Sequence, residues 1–549
     1  MRNLIILGLA LCIQCSLVQA QLSEQERFEV AKNLDIYNSL VKEMDMFYVD
    51  SLDIKKIIQE NINFMLRRLD PYNEYFQEED VSGFMAQTTG EYGGVGALIS
   101  SRDGVVYVIE PYEGMPADLA GIQAGDELLE IDGINLSGKS SSFASEHLKG
   151  QSNTKVKIKY QRVGDKKPRE VTIDRKRLQL NPVTYYGVLT GNIGYIYISD
   201  FNTYLAQSMK AAFDDLKKQG ITSLIIDVRD NLGGVVEDCL EVLNYFLPKG
   251  ELLLTMKGKV RQLDRTYRAT QQAIDTVIPI VVLVNRNSAS ASEILAGTFQ
   301  DTDRAVIVGN RTYGKGLVQS SRPLPYNGRL KLTTAKYYIP SGRNIQAIDY
   351  SHRNEDGSAS SIPDSLTEVF YTSKGRPVHD GGGIVPDFVL EEKNTPTLVF
   401  YMDMENIFLD FVVQWRLKHP TVDLPEDFVL TDSIYNAFKD FTKSKDFNYD
   451  RQSERALVNL KEIMEFEGYM EPASEEFKAL ENKLKPDLER DLELYKDQLS
   501  DILAKQIMKH YYYAKGEIKY SLRDDYVKKA IEVISDKALF NKTLSEQEN

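Results

Sequence analysis

Asn285-Arg-Asn-Ser288-Ala-Ser290-Ala-Ser292-Glu293 follows directly on the apolar run Ile280-Val-Val-Leu-Val284, and the junction between them decides the fold. The run is bounded by Pro279 and Asn285. It is long enough for a buried strand and too short for a helix. Helical spacing then starts at Glu293, with Ile294, Leu295, Ala296 and Phe299 as its apolar positions. Small hydroxyl residues therefore sit at a strand-to-helix turn. Such a turn exposes a side chain beside free backbone N–H groups, which is where acyl-transfer enzymes place a nucleophile. Ser290-x-x-Glu293 is equally a capping box, with a hydroxyl capping the helix and a glutamate reaching back. The residues alone leave Ser288, Ser290 and Ser292 open, and a purely structural turn as well.

A serine nucleophile needs a base. The histidines (His147, His352, His379, His419 and His510) all lie outside this segment. Downstream, Thr312-Tyr-Gly-Lys315-Gly-Leu-Val-Gln319 sets a lysine between two glycines, where its amine can approach a serine closely. A Ser-Lys dyad is an accepted variant of the catalytic triad. Such a lysine must be desolvated, because its ordinary pKa of about 10.4 keeps it protonated.

Around this pair, strands and helices alternate. Residues 193–198, 224–228 and 280–284 read as strands, and 205–218, 235–247 and 293–299 as helices. That alternation argues an α/β core. Between two of these elements lies Asp227-Val-Arg229-Asp-Asn231-Leu-Gly233-Gly234. Paired glycines at the mouth of a helix can turn backbone N–H groups toward a developing negative charge.

Upstream, residues 90–178 change character. Gly93-Gly94-Val95-Gly96-Ala97 opens a set of short strands, and Gly125-Asp-Glu-Leu-Leu-Glu-Ile-Asp-Gly133 follows. This stretch resembles a PDZ domain across nearly its whole length. The resemblance implies that a peptide adds as a strand to a sheet edge, with its terminal carboxylate held by the backbone of Gly94, Val95, Gly96 and Ala97.

The serine run, the Lys315 segment and the paired-glycine turn together resemble the signatures of the carboxyl-terminal processing peptidases, or tail-specific proteases. The likeness extends through Lys336-Tyr-Tyr-Ile-Pro-Ser-Gly-Arg343 and Gly381-Gly-Gly-Ile-Val-Pro-Asp387, and covers roughly residues 27–392. It implies Ser290 as nucleophile, Lys315 as general base and Gln319 as the residue that fixes the lysine amine. It also implies an oxyanion hole from the N–H of Gly233 or Gly234 with that of Ala291. The substrates implied are proteins with flexible C-terminal tails, cut near that end, with no cofactor and no metal. A non-catalytic PDZ adaptor that binds protein C-termini is the alternative, and its mark would be a lost serine, lysine or glycine.

The chain has 549 residues, 42% hydrophobic content and a formal net charge of −15. That length allows several cores, and the acidity argues against a nucleic-acid partner. Arg2, the apolar run 4–13 and Val18-Gln-Ala20 read as a signal peptide, so the expected location is the periplasm after export across the inner membrane, with membrane association a further option. Of the cysteines, Cys12 and Cys15 lie in that leader, leaving Cys239 in an apolar helical stretch as a core residue. Residues 395–549 are charged and helical in period, with Tyr511-Tyr-Tyr513 as an interruption. No Pro/Gly/Ser linker precedes them, so they are expected to pack on the core; their charged surface reads first as a solvated face, with partner binding or self-association the alternative. The expected architecture is multidomain α+β: signal peptide 1–20, N-terminal helices 21–89, PDZ domain 90–178, α/β peptidase core 179–392 and C-terminal α-helical domain 393–549. Residues 349–373 read as a polar surface loop, and Leu69-Asp70-Pro71 as a helix stop that resembles a segment the family carries before its PDZ domain.

Overall fold

The computed structural model describes residues 23–545 apart from 392–394, 446, 448, 450, 451 and 486. The expected signal peptide lies outside the described residues. The fold is an α/β core joined to a PDZ-like sheet and a C-terminal helical layer, in line with the multidomain α+β expectation.

At its centre is a sheet of six strands. Val183–Leu189 pairs antiparallel with Ile193–Ile198, and Ser223–Asp227, Ile280–Val284, Val306–Gly309 and Phe388–Val389 follow in parallel. Strands buried on both faces read as continuous apolar runs, which is why 280–284 shows no alternation. The two faces nevertheless sort by a period of two. Ile196, Ile198, Leu224, Ile226, Ile280, Val282 and Ile307 pack with the helices Leu205–Lys218, Val236–Phe246 and Ala291–Asp301. Their neighbours Tyr195, Ile225, Val281, Leu283, Val306 and Val308 face the other way.

Strands added in sequential order with crossovers of one hand leave all their helices on one side of a sheet. The opposite face needs another cover, and the C-terminal region supplies it. Val527, Ala530, Val533, Ile534, Phe540 and Leu544 pack onto that face. The expected docking of the C-terminal helices on the core is thus a requirement of the sheet topology. The expected interruption near Tyr511 is a local one: the helix Lys496–Ser521 runs through it, with a non-helical Tyr513 at φ 59° and ψ −168°.

A second sheet holds Leu317–Pro323, Arg329–Tyr338, Leu252–Gly258 and Arg265–Arg268. Its far edge is the short strand Glu74–Phe76, paired antiparallel with Arg329–Tyr338. The residues after Leu69-Asp70-Pro71 therefore do more than stop a helix. The stretch 349–373 is not a plain loop either, because Ile348–Arg353 pairs with Ala359–Ser361 and Val369–Tyr371 with Pro377–His379.

The PDZ-like region forms its own sheet, with Ala97–Arg102 at one edge beside Val105–Pro111 and the helix Ser141–Leu148 packed near it. Its entering and leaving segments, Glu91–Gly94 and Lys176–Gln179, pair as a two-stranded ribbon. In the helix Glu24–Phe47 no residue is buried, and none of the described helices is long and apolar enough to cross a membrane.

Candidate active site

The three serines separate by geometry. Ser288 is fully buried; its Oγ donates to Val228 O at 2.8 Å and accepts from Asn285 N at 2.9 Å. Ser292 is also fully buried, and its Oγ donates to Asn231 O at 2.9 Å. Both hydroxyls tie the serine turn to the paired-glycine turn. Ser290 retains 8% exposure and stands at φ 57° and ψ −114°, a region costly for a residue with a Cβ. A residue held at such a φ and ψ at the mouth of a helix persists only where the surrounding structure fixes it.

Glu293 is the hub. Its carboxylate is fully buried and accepts from Ser290 N at 2.9 Å, Lys315 N at 3.0 Å, Gly314 N at 2.6 Å and Thr312 Oγ1 at 2.6 Å. Burial pushes the carboxyl up, and these four hydrogen bonds pull against that. One side chain thereby fixes the serine turn to the lysine loop. The capping-box reading saw only the bond to Ser290. Glu293→Gln sets an amide N–H₂ against the Gly314 N–H if it replaces Oε1, or against the Ser290 and Lys315 N–H groups if it replaces Oε2, and is expected to cost about 2 kcal/mol or more. Its denaturation midpoint checks this, with loss of activity following the loss of anchoring.

Lys315 is partly buried, with its Nζ 4.9 Å from the centre of the Tyr72 ring. Desolvation lowers its pKa to about 8, reinforced by Lys331 and opposed by Glu293 and Asp70. No hydrogen bond joins its amine to Ser290 Oγ among the described residues. Gln319 does not reach the amine either; its Nε2 donates to Thr333 Oγ1 at 3.1 Å. The structure therefore gathers Ser290 and Lys315 at one hub while leaving their side chains apart.

The paired-glycine turn abuts the serine. A Cβ on Gly233 would lie 2.7 Å from Ser290 Cβ and 2.8 Å from Ala291 N, so only glycine fits there at φ 95°. The Gly233 N–H is already used, donating to Asn231 Oδ1 at 2.8 Å. The N–H groups of Gly234 and Ala291 donate to no partner among the described residues. Of the expected donors, Gly234 and Ala291 remain free for an anion. Cys239 is fully buried behind this corner, with Sγ 3.3 Å from Ala291 O and its thiol pushed up by burial.

In the candidate peptide loop, Val95 O accepts from Ala117 N at 2.8 Å and Gly96 O from Tyr112 N at 3.0 Å. The N–H groups of Val95 and Gly96 donate to no partner among the described residues. Val95 itself is a core residue. Gly94 closes the entering ribbon strand, and Ala97 starts the edge strand. Gly96 has a second reason to be glycine: at φ 80°, an added Cβ would lie 2.5 Å from Met115 Cβ.

The chain is similar to known families and proteins. A model described as peptidase family S41 matches residues 192–351, a PDZ domain model matches 93–174, and a model of the C-terminal helical domain of a probable PDZ-protease matches 398–534. The carboxy-terminal-processing protease of Bartonella bacilliformis is 35% identical over 321 residues, 58% of this chain and 73% of that protein. The carboxy-terminal processing protease CtpB of Bacillus subtilis is 31% identical over 301 residues, 54% of this chain and 62% of that protein. Among solved structures, the photosystem II D1 C-terminal processing protease is 29% identical, covering 60% of this chain and 91% of that one at a TM-score of 0.33. The matched models and relatives define a serine peptidase carrying a PDZ domain. The chain belongs to the carboxy-terminal-processing protease family.

Proposed function

We propose that this chain is a secreted endopeptidase that captures flexible C-terminal tails of proteins and cuts them with a Ser290–Lys315 dyad. The observation that carries the reading is the Glu293 carboxylate bonded to both Ser290 N and Lys315 N, beside the one serine of three that is strained and not fully buried. Ser290 Oγ attacks the scissile carbonyl while neutral Lys315 takes its proton, and the lysine then returns that proton to the leaving amine. The N–H groups of Gly234 and Ala291 hold the oxyanion. Water then releases the acyl group by the same route in reverse. A lysine side chain rotates readily between wells, and catalytic hydrogen bonds often form only once substrate is bound. Substrate docking draws the amine from Tyr72 toward Ser290, and Gln319 then steadies it. The boundaries 21–89, 90–178, 179–392 and 393–549 remain our division of the mature chain, and the leader over 1–20 supports a periplasmic location.

Capture falls to the PDZ domain. A tail adding to the free edge of Ala97–Arg102 would bring its carboxylate to the N–H groups of Val95 and Gly96. Such charge-assisted bonds are worth about 1.5–3 kcal/mol, which an amide cannot match. Amidating the C-terminus of a good peptide substrate is therefore expected to weaken its cleavage by roughly ten- to a hundredfold below saturation. The comparison is one peptide as free acid and as amide with the same preparation, and equal rates would remove the PDZ domain from substrate capture.

A further inference from the structure

The segment between the N-terminal helices and the PDZ domain reaches the site from outside both motifs. Asp70 Oδ1 accepts from Tyr72 N at 2.9 Å and holds the turn. Tyr72 lays its ring against the Lys315 amine, and its hydroxyl meets those of Tyr313 at 3.2 Å and Tyr350 at 3.3 Å. The lysine loop and the strand Ile348–Arg353 thus meet one ring. Asn73 Oδ1 accepts from Thr333 N at 2.7 Å, and Thr333 Oγ1 is the acceptor for Gln319. The strand Glu74–Phe76 then anchors the segment to Arg329–Tyr338, and Arg353 clamps Leu69 O at 3.2 Å. A segment tied at every step is built to hold a position.

We propose that residues 69–76 are a structural wall of the peptidase site, with Tyr72 the positioning residue that shields the Lys315 amine from water in the enzyme before substrate docks. The proposal rests on the Ser290–Lys315 reading and deepens it. The charged and titratable groups facing the amine are Lys331 from the second sheet, Glu293 from the serine helix, and Asp70 and Tyr72 from the wall, with Tyr313 and Tyr350 behind Tyr72. The ring acts in two ways. Its face favours the ammonium form, and its bulk excludes the water that would favour that form more strongly. Burial is the larger effect on this lysine, so removing the ring lets water in and keeps the amine protonated to higher pH.

The test is Tyr72→Ala followed across pH. Its deficit in kcat/KM is expected to be about tenfold near pH 7 and to shrink toward pH 10, as expected for a lysine whose pKa moves up by about one unit. Tyr72→Phe keeps the ring and is expected to recover the native pH profile. A merely structural defect would lower the rate by one factor at every pH. The second readout needs no turnover: in a Ser290→Ala background, trace acetylation of lysines with isotope-coded acetic anhydride, read by mass spectrometry, gives the pH midpoint of Lys315. That midpoint should rise with Tyr72→Ala and return with Tyr72→Phe. If Tyr72→Ala does not fold, Tyr72→Leu replaces it, with a deficit of about threefold at pH 7 expected by the same arithmetic. An unchanged Lys315 midpoint, or a deficit independent of pH, in a folded variant overturns the proposal. The dyad reading is decided separately by whether cleavage depends on Ser290 and Lys315.

Discussion

Ser290→Ala is expected to lower peptide cleavage by at least about three orders of magnitude while the protein stays folded. Alanine carries the same Cβ through the strained φ of 57°, so the change adds no backbone penalty. The bond from Ser290 N to Glu293 is a backbone bond and survives. At most a helix cap is lost, about 0.5–2 kcal/mol. Ser288→Ala and Ser292→Ala should behave in the opposite way. Each removes a buried hydroxyl that satisfies a backbone carbonyl, of Val228 and Asn231 respectively. The expected cost is about 1–3 kcal/mol of stability, with substantial activity in the fraction that folds. Thermal melts and initial rates on the three variants separate the roles, and a dead Ser292→Ala beside an active Ser290→Ala would reassign the nucleophile.

Lys315→Arg is expected to be as inactive as Lys315→Ala. A guanidinium cannot give up its proton in the working pH range, so it keeps the charge and loses the base. The Lys315 backbone N–H that bonds Glu293 is retained in both variants, so neither should loosen the hub. The native enzyme should gain activity with pH. In the proposed dyad the working form is the neutral amine, and burial brings the Lys315 pKa down to about 8. Rates should therefore climb about tenfold per pH unit below that value and level off above it. Activity retained in Lys315→Arg, or a rate flat between pH 6 and 9, would end the general-base role.

Much of the core was legible because its signals are local. The run 280–284, the helix at 205–218 and the glycine-bounded PDZ strands declare themselves through burial pattern and turn residues. The serine choice was not local. Ser288, Ser290 and Ser292 look alike until the Asp227–Gly234 turn is folded beside them and occupies two of the three hydroxyls. Gly233 and Gly234 divide for the same reason, since Asn231 takes the N–H of one. Gln319 lies one short step from Lys315 in sequence, yet strand geometry turns its amide to Thr333. The residues of 69–76 by themselves mark only the end of a helix, because their partners are Arg329–Tyr338, Tyr313 and Tyr350, hundreds of residues away. The C-terminal cover was legible in part. Its helical period shows in the sequence, but the pairing of Arg229 with Asp524 at 2.6 Å, which binds that cover to the glycine turn, does not.

The central claim is that this chain cuts peptides at Ser290 and selects them by their C-termini. The direct measurement is incubation of the purified protein, and of its Ser290→Ala variant, with a peptide library of varied C-terminal residues, read by mass spectrometry. The expected result is cleavage by the native protein alone, confined to a subset of C-termini and lost when those ends are amidated. Cleavage that persists in Ser290→Ala, or a native protein that binds the tails and cuts none of them, would contradict it.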